Sequence, residues 1–132
     1  MSAKVKKTEK KEFDFRTIKT FNDACKAFGT SEKEFNKKFD ALGLDPDTIN
    51  YEKLKLVIKA VNNGWKPNWQ DCNQPKFYPW FEVLSSGFGF DSSSYNCTFA
   101  FTGCGSRLCF QSREKSDYTA KQFIELYNGF LY

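Results

Sequence analysis

Cys25, Cys72, Cys97, Cys104 and Cys109 are the side chains of this sequence best suited to act as nucleophiles or metal ligands. A catalytic thiol needs a nearby cation or helix start to lower its pKa, and a base to take its proton. Arg107 is close in sequence to Cys104 and Cys109, but the chain contains no histidine. That absence excludes the Ser-His-Asp triad, the Cys-His dyad, HExxH metalloproteases and Cys2His2 zinc fingers. It also removes the usual general base near neutral pH. A thiol enzyme without histidine, or one built on carboxylates, Tyr and Lys, remains a less favoured alternative. Structural zinc takes four ligands, usually in close pairs. Only Cys104 and Cys109 approach such a pair, with four residues between them. Cys97 shares an alternating face with Phe99 and Phe101, which suits a buried thiol. No metal and no other cofactor is expected, and no catalytic residue is assigned.

The stretch CGSRLCFQSRE, residues 104–114, offers a different chemistry. Gly105 and Ser106 read as a turn, with Leu108 and Phe110 facing the core and Arg107, Cys109 and Gln111 on the other side. Arg113 and Lys115 precede the last helix. Two readings stay open for Arg107: an ion pair with Glu82 or Asp91, or a grip on a phosphate or carboxylate. A helix start near Ser116 would add an anion-attracting element.

Aromatic residues are concentrated in the same half. Twelve lie between residues 65 and 110, against six charged residues in that span. One side of a sheet can bury about half of these, so the remainder either cover a second surface or form a binding face. The candidate binding residues are Trp65, Trp69, Trp80, Phe88 and Phe90, together with Arg107, Arg113 and Lys115. GFGF, residues 87–90, matches four central positions of an RNA-recognition signature. Ser86, Asp91 and Ser93 break the rest of that pattern, and the order of elements does not fit it.

The elements that must position these residues are legible from periodicity. Ile18, Phe21, Cys25 and Phe28 predict a first helix ending at Gly29. Ser31 and Glu34 have capping-box spacing ahead of a second helix, with Phe35, Phe39 and Leu42 on its apolar face. Pro46 suits a first helical position, and Leu54, Val57, Ile58 and Val61 form the stripe of a third helix closed at Gly64. WKPNWQDCNQP should be an ordered loop. KFYPWFEVL reads as a strand, at an edge because Pro79 lacks an N–H. SSGFGFDSSS reads as a long turn, YNCTFAFT as a second strand and RLCFQS as a third. Ala120, Phe123, Ile124, Tyr127 and Phe130 predict a final helix capped by Ser116 or Asp117. The expected class is α+β: three N-terminal helices, then a three-stranded antiparallel meander packed against a C-terminal helix.

Of the 132 residues, 1–12 read as a basic flexible tail and 13–132 as one α+β domain, with a helical part (13–64) and a sheet-plus-helix part (65–132). The tail holds five lysines and two glutamates, a net of +3 out of +4, so the remainder is near neutral at about +1. No apolar run is long enough for a membrane span, and the start lacks the apolar core of a signal peptide. A cytoplasmic location with reduced cysteines is therefore expected.

GWKPNWQDCNQPKFYPWFEV, SSGFGF, GSRLCFQSRE and AKQFIELYNGFL together resemble a family of short uncharacterised proteins of gut Bacteroidetes and of their phages and mobile elements. The resemblance runs from about Leu54 to Leu131. Its most specific parts are Asn62, Gly64, Trp65, Pro67 and Trp69; Tyr78 to Phe81; Gly105 to Phe110; and Ser112 to Glu114. It implies an origin rather than a mechanism, with a bacterial host cell as the setting and a virion as a second one. The expectation is a non-enzymatic binding protein acting through an aromatic and Arg-bearing surface. Its partner, a host or phage protein or a nucleic acid, stays open, as does its oligomeric state. A self-associating virion or assembly component is the alternative.

Overall fold

The computed structural model describes residues 12–99 and 108–131. Residues 1–11 of the basic tail, Cys104, the Gly105–Ser106 turn, Arg107 and the end of the expected YNCTFAFT strand lie outside the described residues. A 3-10 turn at Phe15–Thr17 leads into α1 (Phe21–Lys26), α2 (Glu32–Asp40) and α3 (Pro46–Asn62). Two antiparallel strands follow, β1 (Lys76–Leu84) and β2 (Gly87–Asn96), and then α4 (Arg113–Gln122) and α5 (Ile124–Leu131). The class is α+β.

Local chemistry explains where the helices begin. Thr20 and Asp23 form a full capping box: Asp23 N–H donates to Thr20 Oγ1 at 3.1 Å, and Thr20 N–H donates to Asp23 Oδ2 at 3.0 Å. At α2 only half of the expected box forms. Glu34 N–H donates to Ser31 Oγ at 3.2 Å, while the Glu34 carboxylate accepts from the Thr30 hydroxyl instead. Pro46 opens α3, and the chain leaves it through Asn63 and Gly64, both left-handed at φ 47° and 88°. The stripe Leu54, Val57, Ile58 and Val61 is fully buried. Phe28 and Leu42, expected on apolar faces, are exposed instead. Their helices end before them, at Lys26 and Asp40, so neither follows its stripe into the core.

The sheet departs most from expectation. The SSGFGFDSSS stretch is not a long turn, because residues 87–94 pair with β1 from Leu84 back to Tyr78. Only Ser85 and Ser86 turn the chain. Glycine permits the close approach. A Cβ on Gly89 would lie 2.6 Å from Leu84 Cδ1, and Gly87 sits at φ 125°. The register slips between Trp80 and Phe81, leaving Asp91 as the extra residue on β2. The expected third strand is reduced to one antiparallel bridge, Phe77 with Phe110. Among the described residues the sheet is a two-stranded hairpin with a single bridge on one edge. Cys97 to Phe99 fall beyond β2, and Phe99 is 74% exposed rather than packed behind Cys97.

The C-terminal helix also differs. Ser112 caps α4, accepting from Lys115 N–H at 3.2 Å, so the helix begins a turn before Ser116 and Asp117. Ser116 is buried inside α4, with its hydroxyl 2.7 Å from that of Ser93 on β2. The backbone breaks at Phe123 (φ −113°, ψ 31°), which separates α5. Ala120, Phe123 and Tyr127 face the core. There they meet the α3 stripe, Leu108 and Phe110. Phe81 of β1 packs on Tyr127 with ring centroids 4.7 Å apart. The helices thus cover one face of the hairpin. No helix among the described residues is long and apolar enough to cross a membrane.

Candidate functional site

The described candidate residues are spread over the loop after α3, both faces of the hairpin and the start of α4. Arg113 is tied into the fold: its Nη1 donates to the Ser93 carbonyl, and its guanidinium lies 5.5 Å from the Phe77 ring centroid. Lys115 donates to Gln111 Oε1 at 2.9 Å. Burial pushes its ammonium pKa below the usual value. The start of α4 lies at Ser112 and Arg113 rather than near Ser116, and the Ser112 side chain accepts from Lys115 N–H there. Phe90 packs edge-on against Phe81, with the Lys121 ammonium 5.3 Å from its centroid. The Phe88 backbone is held by the Asn128 side chain. Trp80 lies on the opposite face of the hairpin from the helices, half-exposed and 6.0 Å from the Tyr78 ring. Arg107 lies outside the described residues.

Trp65 and Trp69 are brought together. Trp65 N–H donates to the Asn62 carbonyl at 3.1 Å, fixing the loop to the end of α3. The loop is then knitted internally. Asn68 N–H donates to Gln74 Oε1, Gln70 N–H to Asn68 Oδ1 and Asn73 N–H to Asp71 Oδ1. Between α3 and this loop opens a cleft of about 430 Å³. Its walls carry Trp65, Trp69, Lys55, Lys59 and Lys66, and buried Asn62 and Cys109 lie at its base. Such a volume falls within the usual range for small-ligand sites.

The two tryptophans have different surroundings. The Lys76 ammonium stands 4.9 Å from the Trp69 ring centroid and donates to the carbonyls of Asp71 (3.0 Å) and Cys97 (2.8 Å). Lys76 is only 1% exposed, so Trp69 is fixed by a buried cation. The Trp69 indole N–H is buried without an acceptor among the described residues. No described ring or cation stacks on Trp65, which stays half-buried at the cleft wall.

The charge in the cleft has one sign. No Asp or Glu is among its described lining residues. Lys55 is paired to Glu52 at 2.7 Å. Lys59 and Lys66 make no ion pair among the described residues, and both are exposed. Lys59 rests over the Phe28 ring at 5.2 Å. A second groove, of about 620 Å³, runs between α2 and α3 over Phe35, Phe39 and Leu56. It carries both signs, with Glu34 and Glu52 facing Lys38, Lys55 and Lys59.

Sequence reasoning singled out Trp65 and Trp69 but not the lysines beside them. Lys55 and Lys59 are four residues apart, one turn of α3, and Lys66 lies inside the Trp65–Trp69 segment. That spacing was the available signal. Lys76 carried none, because nothing in a strand-opening KFYPWF marks its lysine as buried. Compared with models of protein families, with curated proteins and with solved structures, the chain matches none.

Proposed function

We propose that the protein is a small non-enzymatic binding protein whose partner is nucleic acid. The observation that carries this reading is the cleft between α3 and the 65–75 loop, where, among the described residues, Lys59 and Lys66 make no ion pair beside Trp65 and no carboxylate is in the lining. Lysines attract the phosphate backbone through counterion release, and an accessible indole face suits any base. The Arg-bearing surface does not support this role, because Arg113 is engaged by Ser93 and Phe77. A phage or mobile-element origin rests on the resemblance of residues 54–131.

The test is fluorescence anisotropy of labelled DNA and RNA with the full chain, at low and near-physiological salt. A companion protein carries Gln in place of Lys4, Lys6, Lys7, Lys10 and Lys11. The reading expects binding that persists near physiological salt and in the companion. Binding lost with the tail charges would reduce it to nonspecific lysine attraction, and no binding in either protein refutes it.

A further inference from the structure

We infer that the cleft between α3 and the 65–75 loop is a site for one unpaired nucleotide. Trp65 would take the base, and Lys59 and Lys66 the flanking phosphates. The inference rests on the nucleic-acid reading above and adds to it a location, a strandedness and a role for each residue.

Three features of the cleft lead there. The first is division of labour between the tryptophans. Trp69 is committed to the fold, with a buried cation 4.9 Å from its ring centroid. Trp65 has no described ring or cation on its faces and borders the cleft. An aromatic ring of this kind is a stacking platform. The second is the form of the cleft. A concave space of about 430 Å³ admits a single base with its sugar, whereas a duplex keeps its bases stacked and paired. The third is charge. Lys59 lines the cleft from α3, with its exposed ammonium over the Phe28 ring, and Lys66 lines it from the loop beside Trp65, so a strand threading the cleft passes a lysine on each wall.

The neighbouring geometry makes the platform rigid. Trp65 follows directly on the left-handed Asn63–Gly64 exit, and its N–H is held by the Asn62 carbonyl. Asn62 in turn holds Cys109 and Gln111 beneath the cleft. Lys76 and Trp69 fix the far end of the loop. The base-binding wall is thus formed before any ligand arrives, which lowers the ordering cost of binding.

The experiment uses the full chain and fluorescently labelled oligonucleotides, single-stranded and duplex, of one sequence. Trp65→Leu removes the ring while keeping apolar bulk, Trp65→Phe restores a smaller ring, and Lys59→Gln/Lys66→Gln removes both cations. Thermal midpoints, read in parallel, show that each variant is folded. The expected result is tighter binding of the single strand than of the duplex. Trp65→Leu should then lose roughly tenfold or more in single-strand affinity, with part of it recovered in Trp65→Phe. The double lysine variant should lower the slope of log affinity against log salt by about 1.4 for a single strand. If oligonucleotides bind but the folded Trp65 and lysine variants bind as the parent does, the site lies elsewhere and the inference falls while the nucleic-acid reading stands. Duplex binding as tight as single-strand binding also overturns it. If no oligonucleotide binds the parent, both fall together.

Discussion

Asn62 reaches from the last turn of α3 to hold the strand-like segment around Cys109: its Nδ2 donates to the Cys109 carbonyl at 3.0 Å. Its Oδ1 accepts from Gln111 N–H at 3.2 Å. A buried amide thus substitutes for a neighbouring strand, satisfying the backbone on either side of the Phe77–Phe110 bridge. Asn62→Leu keeps the volume and deletes both bonds. It should cost about 2–3 kcal/mol, read as a lower urea midpoint, because two hydrogen bonds of a buried amide are lost together. A loss within experimental error would mean that the segment finds other partners.

Asn128 performs the same service at the other edge of the hairpin. Phe88 N–H donates to Asn128 Oδ1 at 2.6 Å, and Asn128 Nδ2 donates to the Phe88 carbonyl at 3.1 Å. With the Arg113 guanidinium on the Ser93 carbonyl, these bonds engage part of the outer edge of β2 that another strand could otherwise pair with. Asn128→Asp retains the acceptor but turns the donor into a carboxylate oxygen facing a carbonyl. We expect destabilisation of about 1–3 kcal/mol near neutral pH, partly relieved when the carboxyl is protonated. Gly87→Ala should be comparably costly, at about 1–3 kcal/mol, since φ is 125° there and the new Cβ would sit 2.8 Å from Asn128 Oδ1.

Lys76 is a buried cation that closes the 65–75 loop rather than facing solvent. Lys76→Met preserves most of the packing and removes the donor shared by the Asp71 and Cys97 carbonyls. The expected loss is about 2 kcal/mol or more, accompanied by a changed tryptophan emission as the cation leaves Trp69. An unchanged emission spectrum would argue against the Lys76–Trp69 contact.

Asp23 couples stability to acid. Burial raises its pKa, but hydrogen bonds from the Thr20 and Lys19 backbone outweigh that and hold the carboxyl below 3.8. The folded state therefore favours the ionised form. The stabilisation is fully present above the unfolded pKa and is lost as pH falls through the lower folded value. Asp23→Ala should cost about 0.5–2 kcal/mol at pH 7, as for other helix caps. The difference from the parent should shrink as pH is lowered below 3.8, which denaturant titrations at several pH values would show. A gap independent of pH would exclude the charged capping box as its cause.

Local chemistry, written into short stretches, was enough to foresee much of the fold. The α3 stripe from Leu54 to Val61, its start at Pro46 and its left-handed exit were all legible, because helix period, proline and glycine act over a few residues. The same holds for β1. Three outcomes depended on residues far apart in the chain. GFGFDSSS has poor intrinsic strand character, and pairing with β1 together with the Asn128 and Ser116 side chains makes it a strand. Leu108 to Gln111 has good strand character yet forms one bridge, since the Asn62 side chain takes the place of a continuing ladder. Arg113, a candidate binding residue in the sequence, is instead engaged by the Ser93 carbonyl that β2 supplies. The lysines of the cleft are ordinary surface residues in sequence. They come to line one cleft only because the end of α3 and the following loop fold toward each other, an approach that the spacing of the lysines alone does not encode.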